Sequence, residues 1–391
     1  MQTSTLFQRS TGGSLSRQES AVAPLRARGS KNSGHDLPPQ FVQEVCDRLN
    51  LHETAETLAS TRLQTLWAGY GSIYRLAPRE ASPGVSAVVK DVRPPPMSSG
   101  CTLSHARKLK SYRVEARFYR EVAPALAAAR RTCTTPQALV VVAEDDSSGN
   151  FRLLLALTDL SGKFAPSGGM LGADEARAAL EWLAAFHAHG WGQAHTAVDM
   201  GLWEEGCYWH LETRPEELAA ISPTGPHARL GRAAHVLDAR MRGMRDPDGS
   251  EWAGLQGVRA ARTLVHGDFK GENILIGDSE GGQAGIRCAA YDFQYCGGGL
   301  GTKDVAYLLG SSVDGLLLKN GGDMKLLQHY HKCLTKLLPR KAAAAYTFDT
   351  CKLHYALCVA DYARFLAGWG WWGNSAYLQE HAEAALDQLG L

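Results

Sequence analysis

A short polar loop between two apolar runs constrains this chain more than any other stretch. The runs Thr263–Val265 and Ile274–Ile276 have the length and composition of buried strands, and the loop between them holds Asp268 and Asn273. A third apolar run leads directly into Asp292. A loop held rigidly between buried strands can fix polar side chains for chemistry, so we take it as the candidate site.

Phosphoryl transfer from a nucleotide needs a carboxylate that orients and deprotonates the attacking hydroxyl, and oxygen ligands for Mg²⁺. The pattern His-x-Asp-x-x-x-x-Asn at 266–273, followed by Asp-Phe at 292–293, supplies all of these groups. Taken alone, His-Gly-Asp is compatible with an ordinary turn and Asn273 with a loop cap, because Asp, Gly and Asn are common turn residues. The whole strand, loop and strand arrangement favours the chemical interpretation.

These residues resemble the catalytic and metal loops of the kinase-like fold. The resemblance is to its small-molecule branch, with the aminoglycoside phosphotransferases, choline and ethanolamine kinases and CHK kinase-like (ecdysteroid-kinase-like) proteins. It implies an α+β fold of two lobes, a small β-rich N-lobe and a larger, mainly α-helical C-lobe. It also implies that Asp268 is the catalytic base and that Asn273 and Asp292 bind catalytic Mg²⁺. Gly267 stands where protein kinases usually carry Arg, which favours the small-molecule branch.

Lys90 ends the apolar strand-like run 87–90. An ammonium at the end of a buried strand is costly unless it meets an anion, so we predict that Lys90 contacts the phosphates of ATP. The alternative is a strand-end Lys that points into water. Lys90 resembles the ATP-binding Lys of the kinase-like fold, which implies a Glu partner on the next helix. Glu115 is the candidate for this partner, and Glu121 is the competing one.

A glycine-containing turn lies between two strand-like runs in the segment 63–76. Its residues Gly69, Gly71 and Ser72 could place backbone N–H groups over the nucleotide phosphates, which makes them candidate ATP-binding residues. A plain β-hairpin is the alternative, and these residues alone favour it.

The chain divides by composition and period into three parts. Residues 1–36 are rich in Ser, Gly and Arg and poor in apolar residues, which predicts a disordered tail, with an organellar transit peptide as the alternative. Residues 37–160 are predicted to form the nucleotide-binding N-lobe and residues 161–391 the catalytic and acceptor-binding C-lobe. Helical periodicity predicts helices at 174–187, 324–338, 342–365 and 375–389.

Charge and cysteine usage exclude several classes of protein. Lys plus Arg number 41 against 40 for Asp plus Glu, so no overall field attracts nucleic acid or a membrane surface. The nine cysteines include no Cys-x-x-Cys pair, which argues against a disulfide framework or structural zinc site and for reduced thiols. We therefore expect a cytoplasmic protein, with organellar import through residues 1–36 as the alternative. No membrane span and no obligate protein partner are evident.

The predicted function is ATP- and Mg²⁺-dependent transfer of phosphate to a hydroxyl of a small molecule. A protein kinase is the less favoured alternative, because twelve positions between Asp292 and Asp304 leave no room for an activation segment. The other alternative is a catalytically inactive kinase-like binding module, a pseudokinase. Gln294 stands where Gly usually follows Phe, and we expect it to leave the metal ligand untouched. The tryptophans at 369–372 are interpreted as helix packing, with a quaternary-ammonium cage as the alternative.

Overall fold

An antiparallel five-stranded sheet dominates the N-terminal part of the fold. The computed structural model describes residues 37–51, 58–79, 85–95, 102–129, 132–145, 150–278 and 285–391, so the predicted tail at 1–36 lies outside the described residues. The strands are β1 (Leu58–Thr65), β2 (Gly71–Pro78), β3 (Ala87–Val92), β4 (Ala138–Asp145) and β5 (Phe151–Thr158), in the spatial order β1-β2-β3-β5-β4.

The two faces of this sheet are covered by different helices. Val89 of β3 is buried in a cluster with residues of α1 (Pro39–Arg48). Because successive side chains of a strand point to opposite faces, Lys90 is directed to the other side. There the chain forms α2 (Leu103–Arg117), a π-helical turn (Phe118–Val122) and α3 (Ala123–Ala128). The alternation of side chains along β3 therefore places the buried ammonium of Lys90 on the face of the sheet that α2 covers.

Helix α2 is tied to the helical part of the molecule by a buried arginine. The run 101–110 is basic, with Arg107, Lys108 and Lys110, and such a run predicts a solvated helix face. That prediction is wrong for Arg107, whose guanidinium is buried and donates to the carbonyl oxygen of Thr213 at 2.7 Å. The aliphatic stem of an arginine can be buried when its charged end finds such an acceptor. Arg107 therefore acts as a link between the sheet region and the helices.

The C-terminal part is mainly helical. Its helices are α4 (Ala173–His189), α5 (Pro215–Ala219), α6 (Ala228–Met241), α7 (Leu255–Ala261), α8 (Thr302–Ser311), α9 (Gly315–Leu318), α10 (Gly322–Leu337), α11 (Arg340–Ala345), α12 (Phe348–Trp369) and α13 (Ser375–Leu389). The prediction of one helix over 342–365 is wrong, because the helical conformation is interrupted between α11 and α12. Thr347 supplies the N-cap of α12, its Oγ1 accepting from the Thr350 N–H at 3.2 Å.

Five short strands surround the candidate catalytic loop, residues 266–273. They are β6 (Ala165–Pro166), β7 (Arg262–Val265), β8 (Ile274–Asp278), β9 (Ile286–Ala290) and β10 (Gly297–Leu300). Strand β7 pairs with β10, whereas β8 lies between β6 and β9. The loop predicted between two strands therefore joins two separate small sheets.

The glycine-rich strand β10 was not predicted from the sequence. A Cβ on Gly298 would approach the carbonyl oxygens of Glu204 and Ala194 to 2.7 and 2.9 Å. The glycines thus let β10 fit between neighbouring backbone segments, whereas in the sequence they resemble a loop.

The observed architecture confirms the predicted α+β fold class, with a sheet-rich N-terminal part and a helical C-terminal part. None of the helices in the described ranges combines the length and the apolar character needed to cross a membrane. The functional division of the chain at residue 160 stays a prediction.

Candidate active site

Asp304, in the first turn of α8, anchors the loop that follows β7. Its two carboxylate oxygens accept the backbone N–H groups of His266 at 2.7 Å and Gly267 at 2.9 Å. His187 of α4 contacts the same carboxylate at 3.1 Å and the Tyr330 hydroxyl of α10 at 2.8 Å. All of these side chains are buried. Three helices therefore hold the start of the candidate catalytic loop in one position.

Gly267 occupies a place that admits no side chain. Its φ is 81°, in the left-handed region, and a Cβ would stand 2.1 Å from the carbonyl oxygen of Tyr295 and 2.7 Å from the nitrogen of Cys207. Both obstacles are backbone atoms, which a rotamer change cannot remove. The Arg that protein kinases usually carry here does not fit this chain.

Replacing Gly267 by Ala is expected to lower turnover at least about tenfold, because a displacement of reacting groups by 1 Å can cost about 10²-fold. Gly192→Ala is the matched control, since Gly192 has a φ of 72° and a Cβ added there would meet nothing within 4 Å. The control carries the same backbone strain without the backbone clash. Steady-state kinetics on both variants test the prediction, and equal losses would contradict it.

Asp268 lies in the loop with one carboxylate oxygen held by a hydrogen bond and the other buried without one. Its Oδ2 accepts from Asn273 Nδ2 at 3.0 Å, and the same amide donates to the Asp268 carbonyl oxygen at 2.8 Å. Oδ1 has no hydrogen-bond partner within the described part of the chain, and Lys270 Nζ lies 3.6 Å from it. Burial raises the pKa of Asp268 to about 6, although the charge of Lys270 opposes the shift.

Lys90, Glu115 and Asp292 meet beneath α2. Lys90 Nζ lies 2.7 Å from Glu115 Oε2 and 3.5 Å from Asp292 Oδ1, and both Lys90 and Glu115 are buried. Burial by itself would lower the pKa of Lys90, but the charges of Asp292 and Glu115 outweigh it and raise that pKa. The competing candidate, Glu121, lies instead at the surface beside Arg117, at 4.0 Å.

Gln294 contacts the predicted metal ligand, so the expectation that it leaves Asp292 untouched is wrong. Its Nε2 donates to Asp292 Oδ1 at 2.6 Å, and its Oε1 accepts from the Ser111 hydroxyl at 3.0 Å. Ser111 precedes Glu115 by four positions on α2, which places both side chains on one helix face. Helix α2 is thus linked to Asp292 in two ways. Glu115 contacts Lys90 and Ser111 contacts Gln294, and both Lys90 and Gln294 contact Asp292.

Asp292 has a backbone conformation that is unusual for a residue with a side chain, with φ at 67°. The next residue, Phe293, is buried and stacks on Phe118 of the π-helical turn, with ring centroids 3.6 Å apart. This stacking fixes the segment that carries Asp292. Burial acts to raise the pKa of Asp292, but Lys90 and the Gln294 hydrogen bond hold it below its usual range.

The turn between β1 and β2 has the geometry of an ordinary hairpin. Gly71 faces the backbone of β3 so closely that a Cβ would lie 1.9 Å from the Asp91 carbonyl oxygen. Ser72 pairs in register with Asp91, and Gly69, with φ at 74°, has open space around it. The close approach of the β3 backbone accounts for the glycine at position 71 without any bound ligand. The contact of Gly69, Gly71 and Ser72 with phosphates stays a prediction.

The residues present fit a Mg²⁺ ion. Both hydrogen-bond donors that the described residues supply to Asp292 use Oδ1, which leaves Oδ2 for a cation. Asn273 turns its amide nitrogen toward Asp268, which leaves its amide oxygen as the atom for coordination. Carboxylate and amide oxygens are the donors that Mg²⁺ prefers. The Asp292 side chain is also 30% exposed, so a solvated ion can reach it.

Tyrosine rings line the side of Asp268 that faces the helices. Tyr208 and Tyr362 lie 5.7 and 5.1 Å from Tyr307, centroid to centroid. Burial, with a smaller effect from the charge of Asp268, raises the pKa values of all three hydroxyls. Trp372 meets Tyr307 edge to face at 6.1 Å, and the Trp369 ring stacks on a neighbouring ring of α12, in line with the packing interpretation.

Two features of this structure define the kinase-like class of phosphotransferases. One is a sheet with a buried Lys–Glu pair, and the other is an Asp–Asn loop in the helical part that lies near a further Asp. A profile of the phosphotransferase enzyme family, APH, matches residues 80–333, which is more than half of the chain. The chain belongs to this family, and the resemblance inferred from its motifs is confirmed. No curated protein matches the sequence.

Solved structures share the fold at low sequence identity. Choline kinase from Cryptosporidium parvum Iowa II is 9% identical with a TM-score of 0.50, covering 90% of this chain and 95% of that one. A microcompartment-associated aminopropanol kinase is 15% identical, with a TM-score of 0.46 and coverage of 88% and 94%. Amicoumacin kinase is 14% identical, with a TM-score of 0.46 and coverage of 86% and 90%. At such identities the similarity concerns the fold alone.

Proposed function

We propose that this protein transfers the γ-phosphate of ATP to a hydroxyl group of a small molecule. The observation that carries the proposal is the contact between Lys90 and Asp292, at 3.5 Å and across 202 positions of sequence. It brings the candidate phosphate-binding cation to the candidate metal ligand, as nucleotide-dependent phosphoryl transfer requires. Membership of the phosphotransferase enzyme family supports the same reaction class.

In this proposal residues 37–160 bind the nucleotide and residues 161–391 supply catalysis and the acceptor pocket. Lys90, held by Glu115, contacts the phosphates, and the β1–β2 turn with Gly69, Gly71 and Ser72 covers them. Asn273 and Asp292 hold Mg²⁺, which neutralises phosphate charge when bound. Catalysis rests mainly on positioning and on charges fixed in advance.

Asp268 is the group that orients the acceptor and takes its proton. Its Oδ1 is buried and has no hydrogen-bond partner among the described residues, so in this proposal it is the atom that accepts from the acceptor hydroxyl. Asn273 fixes the other oxygen and thereby the direction in which Oδ1 points. Lys270, 3.6 Å away, adds a positive charge beside the position where phosphate charge develops. The sequence motif did not single out Lys270, although this residue lies inside it.

One structural observation favours a small-molecule acceptor over a protein substrate. The short connection between Asp292 and α8 contains strand β10, which pairs with β7. A long activation segment therefore has no place there.

The pH dependence of kcat/KM is expected to report the ionisation of Asp268. Because the charged carboxylate is the base, activity rises with pH through about 6 and falls about tenfold for each unit below that value. Lys270 lowers the pKa of Asp268, so Lys270→Met is expected to move the inflection to higher pH. Kinetics from pH 4 to 9 test this prediction. An inflection that Lys270→Met leaves in place would contradict the assignment.

Transfer of labelled phosphate tests the function itself. The purified chain and its Asp268→Asn variant are incubated with Mg²⁺ and γ-labelled ATP in a protein-free metabolite extract, and in a parallel protein lysate. Label on a small molecule, absent with the variant, supports the proposal and leads to the acceptor. Label on protein would support a protein kinase instead. ATP binding without transfer in either mixture would support a pseudokinase.

A further inference from the structure

We infer that α4 and α10 carry a binding site for a zinc-class divalent cation, formed by Glu181, His329 and Cys333. One ligand atom from each side chain lies within 4.8 Å of the other two. The cluster is separate from the candidate active site and does not depend on the proposed function. It combines imidazole, thiol and carboxylate donors, which together suit Zn²⁺ rather than Mg²⁺.

The separations between donor atoms match those around one ion. Glu181 Oε1 lies 3.0 Å from His329 Nε2, which in turn lies 3.7 Å from Cys333 Sγ. Ligands at the usual bond lengths around tetrahedral Zn²⁺ stand about 3.3–3.7 Å from each other. The Glu181 side chain is 55% exposed and can adjust to the remaining distance. Three protein ligands leave the fourth position for water or another ligand.

The ligands stand on rigid supports. His329 and Cys333 are four residues apart on α10, so both project from one face of the helix. Helices α4 and α10 pack against each other and are also joined in the interior by the hydrogen bond between His187 and Tyr330, at 2.8 Å. An ion at the cluster would add a second connection between the same two helices, at the surface.

The charges around the thiol suit an ion as well. The carboxylate of Glu181 and the imidazole of His329 both lie near the thiol of Cys333. A divalent cation between thiolate and carboxylate would remove their mutual repulsion. The alternative is a hydrogen-bonded surface cluster in which His329 Nε2 carries a proton and donates to Glu181 Oε1, with the neutral thiol of Cys333 beside the same nitrogen. The two interpretations differ in whether the thiol is ionised when metal is present.

Zinc and cobalt titrations of the full chain decide between them. In excess Mg²⁺ and without nucleotide, we expect one equivalent of Zn²⁺ to bind in calorimetry and to raise the melting temperature. Co²⁺ in its place is expected to show thiolate-to-metal charge-transfer absorption. Cys333→Ser should abolish this absorption, and His329→Gln should weaken Zn²⁺ binding by more than about tenfold, because even loss of a supporting residue costs about 10–100-fold.

Two variants serve as controls. Cys101→Ser replaces a thiol outside the described residues, and His195→Ala removes an exposed imidazole elsewhere. Both are expected to bind Zn²⁺ and Co²⁺ as the unmodified chain does. Glu181→Gln, at an exposed position, tests the third ligand without disturbing the interior. Absence of binding, binding that survives Cys333→Ser, or a Co²⁺ spectrum without the thiolate band would overturn the inference.

Discussion

Replacing Asp268 by Asn is expected to reduce kcat by about 10²–10⁴-fold while leaving the affinity for ATP nearly unchanged. The amide keeps the shape of the side chain and can still accept the Asn273 hydrogen bond, so the loop retains its geometry. It cannot accept the proton of the acceptor hydroxyl. Pre-steady-state turnover and equilibrium nucleotide binding measure the two effects separately.

Asp174→Asn provides the control for this experiment, because Asp174 is an exposed carboxylate at the start of α4. It is expected to change neither quantity. If Asp268→Asn abolished ATP binding and left residual turnover normal, Asp268 would belong to the nucleotide site and another group would have to be the base.

Replacing Asp304 by Asn is expected to lower the free energy of unfolding by about 1–3 kcal/mol, which is the usual cost of a buried donor left without its acceptor. Asp304 accepts from the backbone N–H groups of both His266 and Gly267, and an Asn has only one acceptor oxygen. The catalytic loop should shift as a result, so kcat falls together with stability. Urea denaturation and steady-state kinetics measure both.

Asp349→Asn separates this role from a general effect of the helix dipole. Asp349 also lies in the first turn of a helix, α12, but its side chain is 88% exposed. Removing its charge is expected to cost no more than about 0.5 kcal/mol, as for most surface substitutions. Similar losses for both variants would mean that Asp304 acts only through the dipole of α8.

Local sequence patterns predicted the parts of the site that are close together in the chain. The spacing of Asp268 and Asn273 determines that one can hydrogen-bond the other within a single loop, as the distance of 3.0 Å shows. The apolar run that ends at Lys90 predicted a buried strand, and the family resemblance implied a Glu partner on the next helix; the structure places Lys90 against Glu115. These patterns work because strand and helix periods are properties of the local backbone.

Residues that act through distant partners were missed or misjudged. Gln294 was interpreted as a change in a short motif, yet its contacts are Asp292 beside it and Ser111, 183 positions away. The basic run around Arg107 predicted a solvent-exposed side chain, but in the structure Arg107 is buried and donates to the carbonyl oxygen of Thr213. Glu181 and the pair His329 and Cys333 have no common motif because they lie on different helices.

Residue types and short spacings were enough to predict the class of chemistry, most of the strands and helices, and the three oxygen-bearing side chains of the candidate site. Those properties follow from the covalent chain, which sets both residue type and local spacing. The packed molecule was needed to show that Glu115 rather than Glu121 meets Lys90, that Gly267 admits no side chain, and that Gln294 supports Asp292. Such choices depend on how sheet, helices and loops pack, where distances of a few ångströms arise between residues far apart in sequence.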